Sequence, residues 1–512
     1  MRKIFWITFL VLIPLSIGLT LYNKLFAILL VVVIGLFIMG VLDIVQKKHA
    51  IKSNFPILGR LRYVFEHLRP KIYQYFIESN IDGTPINRLN RSLVYQRAKH
   101  ERDTIPFGTE LNVYEKGYEW INHSINALSF DELKFDSQVV IGNSQCLKPY
   151  SCSRFNVSAM SYGSLSKRAV LALNQGAKIG GFAHNTGEGG VSPYHLDPGG
   201  DLIWQIGTGY FGCRAADGNF CEKDFQENSQ KDSVKMIELK LSQGAKPGHG
   251  GILPASKNNK EISKIRGVKE GTDVLSPPRH KAFTGIKELP GFIKKLRDLS
   301  GGKPVGFKMC IGNQSEFIEM IQEFVKQNIY PDFIAIDGGE GGTGAAPLEF
   351  SNRVGTPLID GLVFAFDILR GFDIKQHIKI FASGKVFTGY DVLRLVALGA
   401  DAVYSARGMM LALGCIQALE CNSNTCPTGI TSHDPRFTKG LDVDSKAKRV
   451  ASFHKETLHA FMELIGALGL ESIEDLRRSH IYKRVNERES KRFDELYPLK
   501  EKGSLLLASK VL

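Results

Sequence analysis

Disulfide-forming cysteine is scarce. Eight cysteines in 512 residues do not make a secreted disulfide scaffold, which leaves free thiols or a metal centre. Disorder, collagen and low-complexity classes are excluded by 43% hydrophobic and 23% charged residues. No G-x-G-x-x-G follows a predicted strand, so nothing marks a nicotinamide site. Nucleic-acid motifs are missing as well, despite a formal charge of +13, and no nucleic-acid partner is expected. Glycine, by contrast, is abundant at 51 residues, and it is clustered, which points to loops lined by backbone rather than to flexible linkers.

Two long uncharged runs open the chain, residues 4–22 (IFWITFLVLIPLSIGLTLY) and 25–42 (LFAILLVVVIGLFIMGVL). At about 1.5 Å per residue, each is near the minimum that crosses a hydrocarbon core of about 30 Å. Only Asn23 and Lys24 separate them, enough for a tight turn. Arg2 and Lys3 precede the pair, and Lys47, Lys48 and Lys52 follow it, so the positive-inside rule puts both ends in the cytoplasm. Residues 1–45 are therefore expected to be a two-pass transmembrane hairpin in the inner or plasma membrane, with the catalytic domain cytoplasmic. A cleaved signal peptide and an interfacial anchor are the alternatives. Residues 46–149 follow as a basic juxtamembrane and barrel-entry segment. Within it, residues 46–102 hold twelve Lys/Arg against four Asp/Glu. That charge is drawn to anionic membrane lipid, and a solvated linker is the plain alternative.

Beyond about residue 150, short apolar runs alternate with helical stretches. FNVSA (155–159), IELKL (237–241), VGFKM (305–309), FIAID (333–337), IKIFAS (378–383) and AVYSA (402–406) read as strands. SEFIEMIQEFVKQ (315–327) and GYDVLRLVALGA (389–400) carry apolar residues at helical spacing. Apolar strands separated by helices imply a parallel sheet buried on both faces. The fold expected over residues 150–440 is α/β, a (β/α)8 TIM-type barrel, with a doubly wound sheet as the alternative. The glycine clusters NTGEGG (185–190), KPGHGG (246–251), GGEGGTGAAP (338–347), SGK (383–385) and ARG (406–408) mostly fall just after strands or between units. Barrel active sites are built from such loops. Residues 441–512 read as a C-terminal helical extension.

Cys415, Cys421 and Cys426 form C-x5-C-x4-C in the run CIQALECNSNTCP. Three thiolates suit a [3Fe–4S] cluster better than a four-thiolate one. Zinc usually takes a fourth ligand, for which His433 is available. Three buried free cysteines are the plain alternative.

Several runs together resemble the FMN-binding synthase domain of glutamate synthase: SAMSYGSLS (158–166), NTGEGG, QGAKPGHGG (243–251), SPPRH (276–280), GGTGAAP (341–347) and the cysteine run with its TCPTG ending. The chain is most similar to the short, membrane-anchored members of that family, which RPKIYQYFIES (69–79) and RSLVYQRAKHERDTIPFGT (91–109) also resemble. The resemblance implies FMN on the C-terminal face of the barrel, with a [3Fe–4S] cluster on Cys415, Cys421 and Cys426 beside it. Ala159, Met160 and Ser161 would lie against the flavin ring, Lys308 would face its N1/O2 region, and Gly341 and Gly342 would line its edge. Ser383, Gly384 and Lys385, with Ala406, Arg407 and Gly408, would hold the phosphate. Glu188, Gln243 and Lys246 would meet the keto acid and ammonia. Four of them have a plainer reading: a solvated strand end for Lys308 and Lys246, a capped glycine turn for Glu188, a core position for Met160.

The activity implied is reductive amination of 2-oxoglutarate to glutamate. Electrons would enter through the cluster, and a hydride would pass from reduced FMN to 2-iminoglutarate. Complete glutamate synthases also carry an amidotransferase domain with an N-terminal nucleophilic cysteine, and this chain starts Met1-Arg2. Ammonia, free or released from glutamine by a separate subunit, and electrons from ferredoxin or a membrane donor are therefore expected from partners. His249, Tyr210 and Arg279 depart from the family's usual residues near the substrate mouth. That keeps open a related enzyme for another amino or imino acid, such as N-methylglutamate. A non-catalytic electron-relay subunit is the other alternative.

Overall fold

A computed structural model describes residues 1–101 and 104–508. Residues 102, 103 and 509–512, which fall within the segments 46–149, 91–109 and 441–512 named above, lie outside the described residues. The chain divides into two compact units, Met1–Arg88 and Leu89–Leu512.

In the first unit, the uncharged runs form helices Arg2–Tyr22 and Ala27–Val45. Both are long and apolar enough to cross a membrane by length and composition. They pack through Phe5, Phe9 and Val33, with the Phe5 and Phe37 rings stacked 5.9 Å apart. Gly40 lies directly under the Phe5 ring, where any side chain would collide with it. In the last turn of the second helix, Asp43 pairs with Arg60 at 2.8 Å.

In the second unit, eight parallel strands close into a barrel: β1 Phe155–Val157, β2 His184–Asn185, β3 Leu202–Ile206, β4 Val234–Lys240, β5 Val305–Met309, β6 Phe333–Asp337, β7 Lys379–Ser383 and β8 Ala402–Ser405. Neighbours follow chain order, and β8 pairs with β1 to complete the ring. Closure settles the choice between barrel and open sheet. All six strands read from the sequence are present. The other two, β2 and β3, were not read: β2 is only two residues long, and in β3 Gln205 breaks the apolar run. That glutamine lies inside the barrel and donates to buried Glu238 at 2.6 Å; Asn185 and Tyr404 donate to the same carboxylate at 2.9 and 3.1 Å.

The barrel core is tightly filled. Phe333, Phe381 and Tyr404 are buried against Ile203, Met236 and Ala335. An antiparallel hairpin, Gln138–Ile141 with Tyr150–Ser153, adds Val139, Ile141 and Cys152 to the same core. Truncating a ring such as Phe381 to alanine costs about 3–5 kcal/mol at sites of this kind. Beyond residue 441 the chain is not purely helical. The helix Val443–Ala467 packs on Lys167–Gly180, where Gly176 leaves room for Val450. Strands Ile481–Arg484 and Ser490–Arg492 then form a small sheet with Glu119–Ile121. Ile481–Arg484 pairs on one side with Glu119–Ile121, far away in sequence, so local periodicity could not announce the sheet.

Candidate active site at the open end of the barrel

The C-terminal ends of β1, β5, β6, β7 and β8 surround one cavity with about 540 Å³ of empty space, open solvent at its mouth included. Eleven of the residues assigned above line it: Ala159, Gln243, Lys308, Gly341, Gly342, Ser383, Gly384, Lys385, Ala406, Arg407 and Gly408. Met160 and Ser161 are buried next to this group but are not part of the lining. The lining also contains Ser158, Asp337, Tyr404 and Ser405, which the sequence did not single out. Of these, Asp337 had the clearest cue, as an acid at the C-terminal end of a predicted strand.

Lys308, 4% exposed on β5, has its ammonium 3.8 Å from the Asp337 carboxylate on β6. Asp337 also accepts the Gly244 N–H at 2.8 Å, fixing the loop that carries Gln243. Arg407 donates to the Glu340 carbonyl at 2.7 Å, across the turn that holds Gly341 and Gly342. Burial lowers the pKa of both Lys385 and Arg407. Lys385 holds a left-handed φ of +48°, a costly conformation for a residue with a side chain. Three cations, three serine hydroxyls and glycine backbone around this cavity fit a ring-and-phosphate ligand such as FMN.

A second group of charges lies against this cavity. Glu188, in the loop after β2, pairs with Lys240 at the end of β4, Oε1 to Nζ 3.0 Å. Gly207 and Gly251 make room for that carboxylate, since a Cβ at either position would lie 2.7 or 2.5 Å from its oxygens. Burial pushes the Glu188 carboxyl up, but Lys240, Arg266 and Lys246 outweigh it and hold it below the ordinary range. Burial pulls Lys246 down to about 8 and Arg266 down to about 10, against the opposing pull of Glu188. Lys240 is lowered as well, by burial first, and it lies within electrostatic reach of Lys308 and Asp337. Lys246 donates to the Ala345 carbonyl at 3.3 Å. The structure thus groups Glu188 with Lys246 and sets Gln243 in the adjoining cavity. Lys240 and Arg266, unremarked in the sequence, complete the cluster. Lys240 had a visible cue, a lone cation inside the apolar strand IELKL. Arg266 had none.

Tyr210 acts as a latch behind the cluster. It is fully buried, and its hydroxyl accepts the Lys281 and Ala282 N–H groups at 2.9 and 3.0 Å. His280 Nε2 lies 2.8 Å from the Lys240 carbonyl, so that nitrogen carries the proton and Nδ1 accepts from Tyr210 at 3.1 Å. Burial holds His280 down at about 4, keeping it neutral. Arg279 lines a separate groove, and His249 packs edge-on against Phe350.

The cysteine run lies beside the flavin-assigned turn: a Cβ on Gly344 would touch Cys421 at 3.2 Å. Cys415, Cys421 and Cys426 are free thiols within electrostatic reach of one another. Among the described residues, no His/Cys/Asp/Glu group is placed to grip a single metal ion. His433 is instead occupied by the Gly163 carbonyl at 2.8 Å. Polar donors already face the sulfurs: the Gln417 N–H is 3.4 Å from Cys415 Sγ, and the Thr428 hydroxyl is 3.3 Å from Cys426 Sγ. Three neighbouring thiols, two of them facing polar donors, are the donor set that an iron–sulfur cluster takes.

Residues 100–471 match the model of the conserved region in glutamate synthase. The chain is 36% identical to the glutamate synthase large subunit-like protein YerD of Bacillus subtilis (strain 168), over 85% of this chain and 90% of that one. It is 37% identical to the archaeal glutamate synthase (NADPH) of Methanocaldococcus jannaschii over 63% of this chain, and spans 60% of that relative's length. A solved mandelate oxidase covers 84% of this chain and 97% of its own at 15% identity, with a TM-score of 0.42. The chain belongs to the glutamate synthase family.

Proposed function

We propose that this protein reductively aminates 2-oxoglutarate to glutamate, as a membrane-anchored FMN and iron–sulfur enzyme. The observation that carries the reading is the buried group Lys240, Lys246 and Arg266 around Glu188, set against the cavity lined by Lys308, Lys385 and Arg407. The overall reaction joins the 2-oxoglutarate dianion, ammonium, two electrons and two protons to give the glutamate monoanion and water. Bound FMN supplies two-electron reduction of an imine carbon, and a [3Fe–4S] cluster on Cys415, Cys421 and Cys426 supplies one-electron entry.

Lys246 and Arg266 bind the carboxylates of the dianion, with Gln243 donating from the side of the flavin cavity. Glu188, kept ionised by its cations, takes a proton at its oxygens from ammonium and returns it to the departing hydroxyl. Burial keeps bulk water from competing for these donors, which strengthens each contact. Lys308 places positive charge where a reduced flavin ring gains negative charge, while Lys385 and Arg407 neutralise the phosphate.

Ammonia reaches the site free or from a separate glutamine-hydrolysing subunit. The electrons come from ferredoxin or a membrane donor. The hairpin Arg2–Tyr22 and Ala27–Val45 holds the chain in the inner or plasma membrane, with its catalytic unit in the cytoplasm. The basic stretch that follows the hairpin, residues 46–101, lies near anionic lipid. Retention in the membrane after alkaline carbonate extraction tests the anchor; release into the supernatant contradicts it.

The decisive test of the chemistry is an anaerobic single turnover. The detergent-solubilised holoprotein is reduced and mixed with 2-oxoglutarate and ammonium, and the flavin absorbance is followed. Rapid reoxidation with stoichiometric glutamate is expected. A flavin that reduces but ignores this pair overturns the assignment.

A further inference from the structure

Lys257 takes no part in the charge cluster around Glu188. It ends the single turn Ala255–Lys257 in the long excursion between β4 and β5 and is 3% exposed. Its ammonium donates to the Cys421 carbonyl at 2.7 Å and to the Ser164 carbonyl at 3.3 Å. The acidic groups within its electrostatic reach, among the described residues, are the thiols of Cys421 and Cys426 rather than a carboxylate. Burying an ammonium costs several kcal/mol unless negative charge compensates it. The groups placed to supply that charge are Cys421 and Cys426, once they are thiolates.

We infer that Lys257 is a fixed cation that raises the reduction potential of the iron–sulfur cluster on Cys415, Cys421 and Cys426. The inference rests on the cluster reading above. Each electron that enters a cluster adds one negative charge, and a buried cation beside it stabilises that charge in a medium that screens poorly. Charge and hydrogen bonding near the sulfurs are among the protein's means of setting such potentials. The placement is directional. Lys257 contacts the backbone of Cys421, and Cys421 is the cysteine that abuts Gly344 beside the flavin cavity. A cluster held by these cysteines would have Lys257 on its Cys421 side, the side nearest Gly344. Lys257 is a tuning residue and touches neither substrate nor flavin.

The test uses the full-length holoprotein in detergent, with Lys257→Met, Lys257→Gln and Lys257→Arg variants. Iron and sulfide content are measured first, followed by a redox titration read by electron paramagnetic resonance. Lys257→Met is expected to keep its cluster and to hold at least about tenfold less of it reduced at a fixed potential, a downward shift of about 59 mV for one electron. Lys257→Arg restores the wild-type value, and the flavin midpoint stays unchanged in every variant. An intact cluster with an unchanged midpoint in Lys257→Met overturns the inference. If that variant loses its cluster, Lys257→Gln, which keeps a donor for the Cys421 carbonyl without the charge, takes its place: a lowered midpoint supports the inference and an unchanged one overturns it. Wild-type protein without iron or sulfide overturns the cluster reading itself, a result distinct from an unmoved potential.

Discussion

Lys240 on β4 reaches across the mouth of the barrel to Glu188 in the loop after β2, Nζ to Oε1 3.0 Å, with both side chains largely removed from solvent. The pair organises the polar end of the site. Glu188 anchors Lys246 and Arg266 electrostatically, while Lys240 is repelled by the Lys308 ammonium and attracted by the Asp337 carboxylate.

Glu188→Gln keeps the side-chain size and removes the charge at the centre of the cluster. Flavin reoxidation by 2-oxoglutarate and ammonium is expected to slow by about 10²–10⁴-fold, the range of a positioned acid–base group. Flavin content stays the same. Stopped-flow absorbance reads this directly, and a wild-type rate removes Glu188 from the chemistry.

Lys246 titrates near 8 because burial disfavours its charged form, with Glu188 opposing the shift and Lys240 adding to it. As pH rises through that value the cation is lost, so kcat/KM for 2-oxoglutarate is expected to fall above about pH 8. Lys246→Ala lowers the plateau and flattens this limb. The sign for stability is opposite. A lysine whose folded-state pKa is depressed disfavours folding while it is protonated, and that penalty fades as pH rises from about 8 to 10.5. A pH profile whose alkaline limb is identical in Lys246→Ala assigns the titration to another group.

Arg407→Ala removes a cation from the cavity along with its bond to the Glu340 carbonyl. A hydrogen bond to a charged group is worth about 1.5–3 kcal/mol, so flavin affinity is expected to fall by about ten- to a hundredfold. Fluorescence titration of apoprotein with FMN measures it. Unchanged affinity contradicts the phosphate assignment.

Tyr210→Phe leaves the Lys281 and Ala282 N–H groups without their acceptor and His280 Nδ1 without its donor. A stability loss of about 1–3 kcal/mol is expected. Because His280 holds the Lys240 carbonyl, a higher KM for 2-oxoglutarate should accompany it. Thermal unfolding and steady-state kinetics on the same preparation separate the two effects, and loss of stability alone limits Tyr210 to a packing role.

The sequence by itself determined the repeating unit. Apolar runs such as FIAID and IKIFAS and helical periods such as 315–327 record local burial, and each of those elements is present in the fold. The glycine-rich loops were legible for the same reason, since a backbone conformation or a close approach is a local demand. The spacing of Cys415, Cys421 and Cys426 was visible as well, because one loop carries all three. Only the tertiary structure decided that β8 meets β1, and with it which loops share an end of the barrel. The tertiary fold also brings Arg266 to Glu188, Lys257 to Cys421 and Tyr210 to His280. These are charge and hydrogen-bond relations between segments far apart in the chain. No periodicity encodes them, because periodicity reports which face of an element is buried and says nothing about what it is buried against.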